Sequence, residues 1–341
     1  MARSKCGAVA AAVAALAVLW GAPALAQGVV IKMATLVPDG SAWHGILKEM
    51  AEEWKKASGG AVTVRIYAGG VAGDDADIVR KMRLGTLNAG LMSSTGLADI
   101  DRSVYALQVP MAFTDYEEFD AVLALMSPAI EQALAAKGFV LLDWADGGWV
   151  KFFARSPVTT PDDLKKLKLF AWAGDTEAVE IWKAAGFNPV PLPSTEISTA
   201  LQTGLINALP TTPQAALLLG WFNQAKNMTD LNWAVLLGAI VVSKATWEKI
   251  PEAVRAALLE SAHKAGARLR EETRRRAGED IEAMRAHGLN VIHLDAAGLA
   301  PWLKAAETAY PRVRGGFVPA DAFDRAMALR DEYRHAAATK K

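Results

Sequence analysis

The sequence predicts an α/β fold with mostly parallel sheets, and three observations carry that prediction. Short apolar runs rich in β-branched residues alternate with helical patterns along the chain, the order that pairs parallel strands through crossover helices. Glycine, proline and Asp/Ser/Thr clusters mark the junctions. No proline-rich linker or internal repeat interrupts the 341 residues, although that length suits two domains. Two domains without a linker imply a chain that passes between them more than once.

The elements follow in order. VVIKMATL, from Val29 to Leu36, reads as the first strand, and Pro38-Asp39-Gly40-Ser41 as a turn that can cap a helix. Trp43, Ile46, Leu47, Met50 and Trp54 recur at helical spacing, and Gly59-Gly60 ends that helix. Val62 to Tyr67 is a strand, Asp74 to Leu84 a charged helix, and Ala89 to Ser94 a short apolar strand. Two helical stretches, near Tyr116 to Met126 and Pro128 to Lys137, precede strands at Phe139 to Trp144 and Trp149 to Ala154. Thr160-Pro161-Asp162-Asp163 starts a helix with a threonine cap, proline at the first helical position and acids in the first turn. Leu167 to Ala173 is a strand, with helices at Thr176 to Ala185 and Ser194 to Gln202. A strand from Ile206 to Leu209 leads to a helix from Pro213 to Lys226 and a buried strand from Val235 to Ser243. Pro251 to His287 forms one long helical pattern, able to brace two domains. A strand from Asn290 to Leu294 and two helices close the chain.

Lys plus Arg is 37 and Asp plus Glu is 37. Without excess positive charge, binding to a nucleic-acid backbone is excluded as the general role. Residues 1–26 read as a cleavable secretory leader: Arg3 and Lys5, an uncharged apolar run from Gly7 to Gly21, then Ala24-Leu25-Ala26. Cys6, the single cysteine, leaves with it, so neither a disulfide nor a cysteine nucleophile is expected in the mature chain. No later stretch approaches 18 uninterrupted apolar residues. The expected product is a soluble protein of a bacterial periplasm.

Chemical motifs are scarce. The histidines at 44, 263, 287, 293 and 335 include no i, i+4 pair, and neither HExxH nor GxSxG occurs. Tyr67 to Gly73 is glycine-rich but matches neither a dinucleotide loop nor a P-loop. Asp74, Asp75 and Asp77 read as helix N-terminal acids rather than calcium ligands. No metal site and no cofactor are expected. A secreted α/β chain without a catalytic constellation points to binding.

Five segments in order resemble one family. They are Ala34 to Pro38 with Ser41-Ala42-Trp43, Met82 to Gly90, Val158 to Lys168, Ala200 to Ala208, and Val242 to Trp247. From Val30 to Glu332 the chain is similar to the extracytoplasmic solute receptors of TRAP transporters, the DctP-type family. The resemblance implies a two-lobed, periplasmic-binding-protein-like fold with crossing strands and a long bracing helix. It implies no enzymatic activity, a small-molecule ligand captured between the lobes, and delivery to a TRAP membrane permease. The implied lobes are 27–147 with 233–280, and 148–232 with 281–341.

One departure bears on the ligand. Where the family usually places a carboxylate-binding arginine, this chain has Phe170, followed by Trp172; Arg155 lies in an earlier segment. The family's usual Asp-Gly is Asn207-Ala208 here. The chain is similar to a branch that works with a periplasmic tetratricopeptide-repeat partner and for which hydrophobic ligands have been proposed. The expectation is therefore an apolar or amphipathic, lipid- or fatty-acid-like ligand, with a small organic acid as the alternative. Rivals of other classes are a secreted α/β hydrolase and a lipid chaperone acting without a permease. The candidate ligand-binding residues are Trp43, Ser94, Thr95, Phe170, Trp172, Thr211, Thr212, Gln214 and Trp233, with Ser93 beside them.

Overall fold

A computed structural model describes residues 28–339; the expected secretory leader lies outside the described residues. The first part of the chain runs β1 (Val29–Thr35), α1 (Ala42–Ala57), β2 (Val62–Tyr67), α2 (Asp75–Arg83), β3 (Ala89–Ser93) and α3 (Ser94–Ile100). A 3-10 turn at Arg102–Gln108 leads to α4 (Tyr116–Ala136), β4 (Phe139–Trp149) and β5 (Lys151–Ala154). Then come α5 (Pro161–Lys165), β6 (Lys168–Trp172), α6 (Thr176–Ala184), β7 (Asn188–Leu192), α7 (Ile197–Thr203), β8 (Ala208–Thr211) and α8 (Pro213–Leu218). The remainder is β9 (Asn227–Asp230), β10 (Val235–Ser243), α9 (Lys244–Trp247), α10 (Glu252–Ala286), β11 (Asn290–His293), α11 (Ala296–Val313) and α12 (Ala320–Thr339).

Two sheets form two lobes. The first has the order β2-β1-β3-β10-β4 and the second β11-β9-β5-β8-β6-β7. Both are mixed rather than mostly parallel: β10 runs antiparallel to β3 and β4, and β5 antiparallel to β8 and β9. The reversal comes from the chain passing between sheets twice in extended form, from β4 into β5 and from β9 into β10. At the crossing the two passages pair with each other: Val150 N–H donates to the Ala234 carbonyl (2.8 Å) and Trp233 N–H to the Val150 carbonyl (3.0 Å).

Local chemistry explains where elements start. Thr160 and Asp163 form a reciprocal capping box at α5, with Pro161 in the first turn. Ser41 caps α1 by accepting from His44 N–H. The two stretches expected at 116–137 are one helix with Pro128 inside it. The ring removes one backbone donor, but Phe119, Val122, Met126, Ile130 and Leu134 stay buried along a single face. That helix is long and apolar enough to cross a membrane by composition; here its apolar face is packed within the first lobe. β7 and β9 had no counterpart among the expected strands. β7 carries Pro189 and Pro191 and sits at a sheet edge, where a missing N–H costs least. The helix expected to reach Lys226 stops at Leu218, followed by Gly220 at a φ of 68°.

The 35 residues of α10 span about 52 Å. The helix packs on α1 and β4 of the first lobe and on α8 of the second, and then feeds β11. α11 packs on α5 and α6, but α12 returns to α4 and the Arg102–Gln108 turn. The expected placement of all of 281–341 in the second lobe is corrected by that return: Phe323, Ala326 and Leu329 are buried in the core of the first lobe.

α10 lies so close to β4 that a Cβ on Gly266 would stand 2.7 Å from the Trp144 carbonyl oxygen. Gly266→Ala is expected to destabilise the protein by about 1–3 kcal/mol through overpacking. A urea midpoint lowered at unchanged m-value checks this, and a midpoint at or above the parent's contradicts it.

Candidate functional site

Between the lobes lies a cavity of about 500 Å³. Its floor is the crossing itself, with Val150, Trp233 and Ala234 among the lining residues. The first lobe contributes the ends of β1 and β3, where Thr35, Leu36, Ser93, Ser94 and Thr95 face the space. The second contributes β6 and β8 through Phe170, Trp172, Pro210 and Thr211. α6 and α11 add a wall of Ala178, Ile181, Trp182, Ala306, Ala309 and Val313.

Seven of the nine candidate residues line this cavity: Trp43, Ser94, Thr95, Phe170, Trp172, Thr211 and Trp233. Phe170 and Trp172 project to the same side, as strand alternation requires, and meet edge to face at 5.5 Å. Phe170 is almost wholly buried, so it belongs to the second lobe's core as well as to the cavity wall. Trp43 is oriented by its indole N–H, which donates to Thr273 Oγ1 of α10 (3.1 Å). Trp233 stacks on Trp182 at 5.6 Å, above Phe152 and Trp302.

Thr212 and Gln214 lie outside the lining, which corrects their place among the candidates. Thr212 is buried as the cap of α8 and accepts from Ala215 N–H. Gln214 is buried on α8, which packs on α10. Helix geometry turns both away from the space that Thr211 and Ala215 face.

Several polar residues of the site gave little signal in the sequence. Asp75 follows the α2 cap, Asp74, and is 1% exposed. Its Oδ2 accepts from the Ser93 N–H (3.0 Å) and hydroxyl (2.5 Å), while Oδ1 has no partner among the described residues. Burial pushes its carboxyl up to about 7, opposed by the Ser93 hydroxyl and reinforced by the charge of Asp74. Tyr105 donates to Asp175 Oδ2 (2.6 Å), and burial raises the Asp175 carboxyl above its ordinary range. Asp146 is likewise raised by burial and held by Arg274, which also grips Asp120. Asp75, Asp146 and Asp175 line the cavity; among the described residues no Arg, Lys or His does.

The lobes also touch across the cleft. Ser194 donates its N–H and hydroxyl to Asp74 (both 2.8 Å), and Arg102 pairs with Glu177 at 3.0 Å. Gly70 adopts a φ of 73°, and a Cβ there would come within 3.0 Å of the Thr195 methyl. That backbone conformation and that approach both call for glycine.

Residues 33–314 match the family model for bacterial extracellular solute-binding protein, family 7 (DctP). The C4-dicarboxylate-binding periplasmic protein DctP of Rhodobacter capsulatus is 29% identical over 300 residues, covering 84% of this chain and 87% of that protein. A TRAP periplasmic solute-binding protein of Ralstonia eutropha H16, solved with (S)-2-acetolactate bound, superposes with a TM-score of 0.82 at 22% identity. It covers 89% of this chain and 99% of its own. One from Pseudomonas putida F1, solved with D-glucuronate, gives 0.79 at 24% identity over 87% and 96% of the two chains. These structures share the two-sheet α/β fold.

Asp75 generates a pH test. A carboxyl raised in the native state binds its proton more tightly folded than unfolded, so stability falls as pH rises from about 4 to about 7. Asp75→Asn keeps an acceptor for Ser93 and removes the buried charge. It is expected to melt several degrees above the parent at pH 8 and to match it at pH 4. An equal gap at both values would mean that ionisation of Asp75 is not the cause.

Proposed function

Because the chain belongs to the bacterial extracellular solute-binding protein family 7, we propose that it is a periplasmic receptor that captures a small organic acid and presents it to a TRAP-type permease. Family members are transport receptors without enzymatic activity, so the hydrolase rival falls away. The observation that carries the reading is the interlobe cavity, floored by the two crossing strands and spanned by polar contacts from one lobe to the other. Rotation about the paired crossings closes such a cavity over a ligand.

The organic acid takes precedence over the lipid-like ligand that Phe170 suggested. The relatives are described with C4-dicarboxylate, acetolactate and D-glucuronate, and 2,3-diketo-L-gulonate is named for another relative, from Escherichia coli. The apolar or amphipathic, lipid-like ligand stays as a second reading, supported by Phe170 in the wall and by a lining that includes no cationic side chain among the described residues. A tetratricopeptide-repeat partner belongs to that second reading alone.

Native mass spectrometry of the purified chain, followed by extraction and identification of the co-purified molecule, tests both. The expected result is one small acid per chain. A phospholipid or long-chain lipid in its place supports the second reading. A preparation that carries no ligand, and in which dicarboxylates, keto acids and sugar acids leave the melting temperature unchanged, overturns the receptor reading.

A further inference from the structure

Apart from the paired crossings, the lobes meet through side chains at one rim of the cleft. The Arg102–Gln108 turn of the first lobe faces the start of α6 in the second, where Asp175 is the cap and Glu177 lies in the first turn. Tyr105 donates to Asp175 Oδ2 (2.6 Å), and Arg102 Nη1 pairs with Glu177 Oε2 at 3.0 Å. Each half is anchored within its own lobe. Arg102 donates from Nε to the Phe317 carbonyl (3.1 Å) and lies over the rings of Tyr105 and Phe317, which stack at 4.0 Å. Asp175 Oδ1 accepts from the Ala178 N–H of its own helix (3.3 Å). Groups fixed in this way give up little side-chain freedom when the rim closes.

Apolar packing accompanies the charges. Ile181 of α6 packs against the core of the first lobe. α11 packs on α6 with Trp302 in a core of the second lobe and Val313 in that of the first, and the Tyr310 hydroxyl donates to the Pro110 carbonyl (2.8 Å). One donor at the rim is still open. Arg102 Nη2 is buried without a hydrogen-bond partner among the described residues and stands 3.9 Å from Asp175 Oδ1. That gap is about 1 Å longer than a charge-assisted hydrogen bond, so a slightly tighter rim would satisfy the donor. Tyr105, Asp175 and Ile181 also line the cavity, whereas Arg102 and Glu177 stand outside its lining.

Resting on the receptor reading above only in taking lobe closure as the working movement, we infer that Arg102 and Glu177 are positioning residues that latch α6 to the first lobe and so set the balance between open and closed cleft. They act through Tyr105, Asp175 and Ile181, which they bring to the cavity wall, and not through contact with the ligand. A binding-competent state that is populated only in part lowers apparent affinity by its fraction, so a weaker latch loosens every ligand alike. Glu177 is half exposed, and salt screens its share of the latch; the buried Tyr105–Asp175 bond is screened much less.

The test is the distance between spin labels on the two lobes. Cys6 is the only cysteine in the sequence, so Lys56→Cys on α1 and Lys183→Cys on α6, both exposed, supply the labelling sites in residues 28–339. The labelled chain, refolded from denaturant with no ligand added, is measured by double electron–electron resonance. Arg102→Gln and Glu177→Gln are each expected to raise the ratio of long-distance to short-distance populations about threefold at low salt, and Tyr105→Phe about tenfold. Added salt is expected to raise the ratio in the parent and to leave it unchanged in Arg102→Gln. Circular dichroism checks the fold of each variant, and Glu177→Gln, at an exposed side chain, carries the test if Arg102→Gln misfolds. The same distance distribution in the parent and Glu177→Gln overturns the latch, as does a difference between them that persists at high salt. Neither readout depends on whether an acid binds, which the mass spectrometry above decides separately.

Discussion

The pairing of the two crossing passages is the constraint on which the rest of the molecule depends. Val150 and Ala234 join β4–β5 to β9–β10 through backbone hydrogen bonds, so the main chains of the two sheets meet along one line. Sequence-independent main-chain bonds fix that line, while side chains are left to shape the space above it. The mixed direction of both sheets and the floor of the cavity follow from it. α10 adds a second tie: it is packed on β4 closely enough that only glycine fits at 266, and it reaches α8 of the second lobe.

The cleft illustrates how burial converts ordinary residues into special ones. Three carboxyl groups line it, and each is raised by loss of hydration. Two are answered by partners, Arg274 for Asp146 and Tyr105 for Asp175. Asp75 is answered on one oxygen only.

Much of the fold was legible because it rests on local rules. The α10 pattern, the Thr160 capping box and the alternation of strands and helices are written in neighbouring residues. β7 was hidden because Pro189 and Pro191 argue against a strand unless its place at a sheet edge is known. The return of α12 was hidden because an amphipathic helix does not say which core it will cover. Within the site, the family resemblance pointed to Phe170, strand alternation to Trp172, and a polar position after an apolar strand to Thr211, and all three line the cavity. Thr212 and Gln214 failed because adjacent residues at a strand-to-helix junction diverge once the helix begins. Asp75 was read only as a helix N-terminal acid. Its neighbour Asp74 performs that capping, and nothing in the local sequence distinguishes the two.

The return of α12 makes the passages between lobes four in number: β4 to β5, β9 to β10, α10 to β11, and α11 to α12. An even number leaves both ends of the described chain on the same lobe, with β1 and α12 sharing one body. Within the described residues the second lobe is thus inserted into the first as two long excursions. Each substitution in the second lobe therefore acts within a body whose every boundary is a passage from the first.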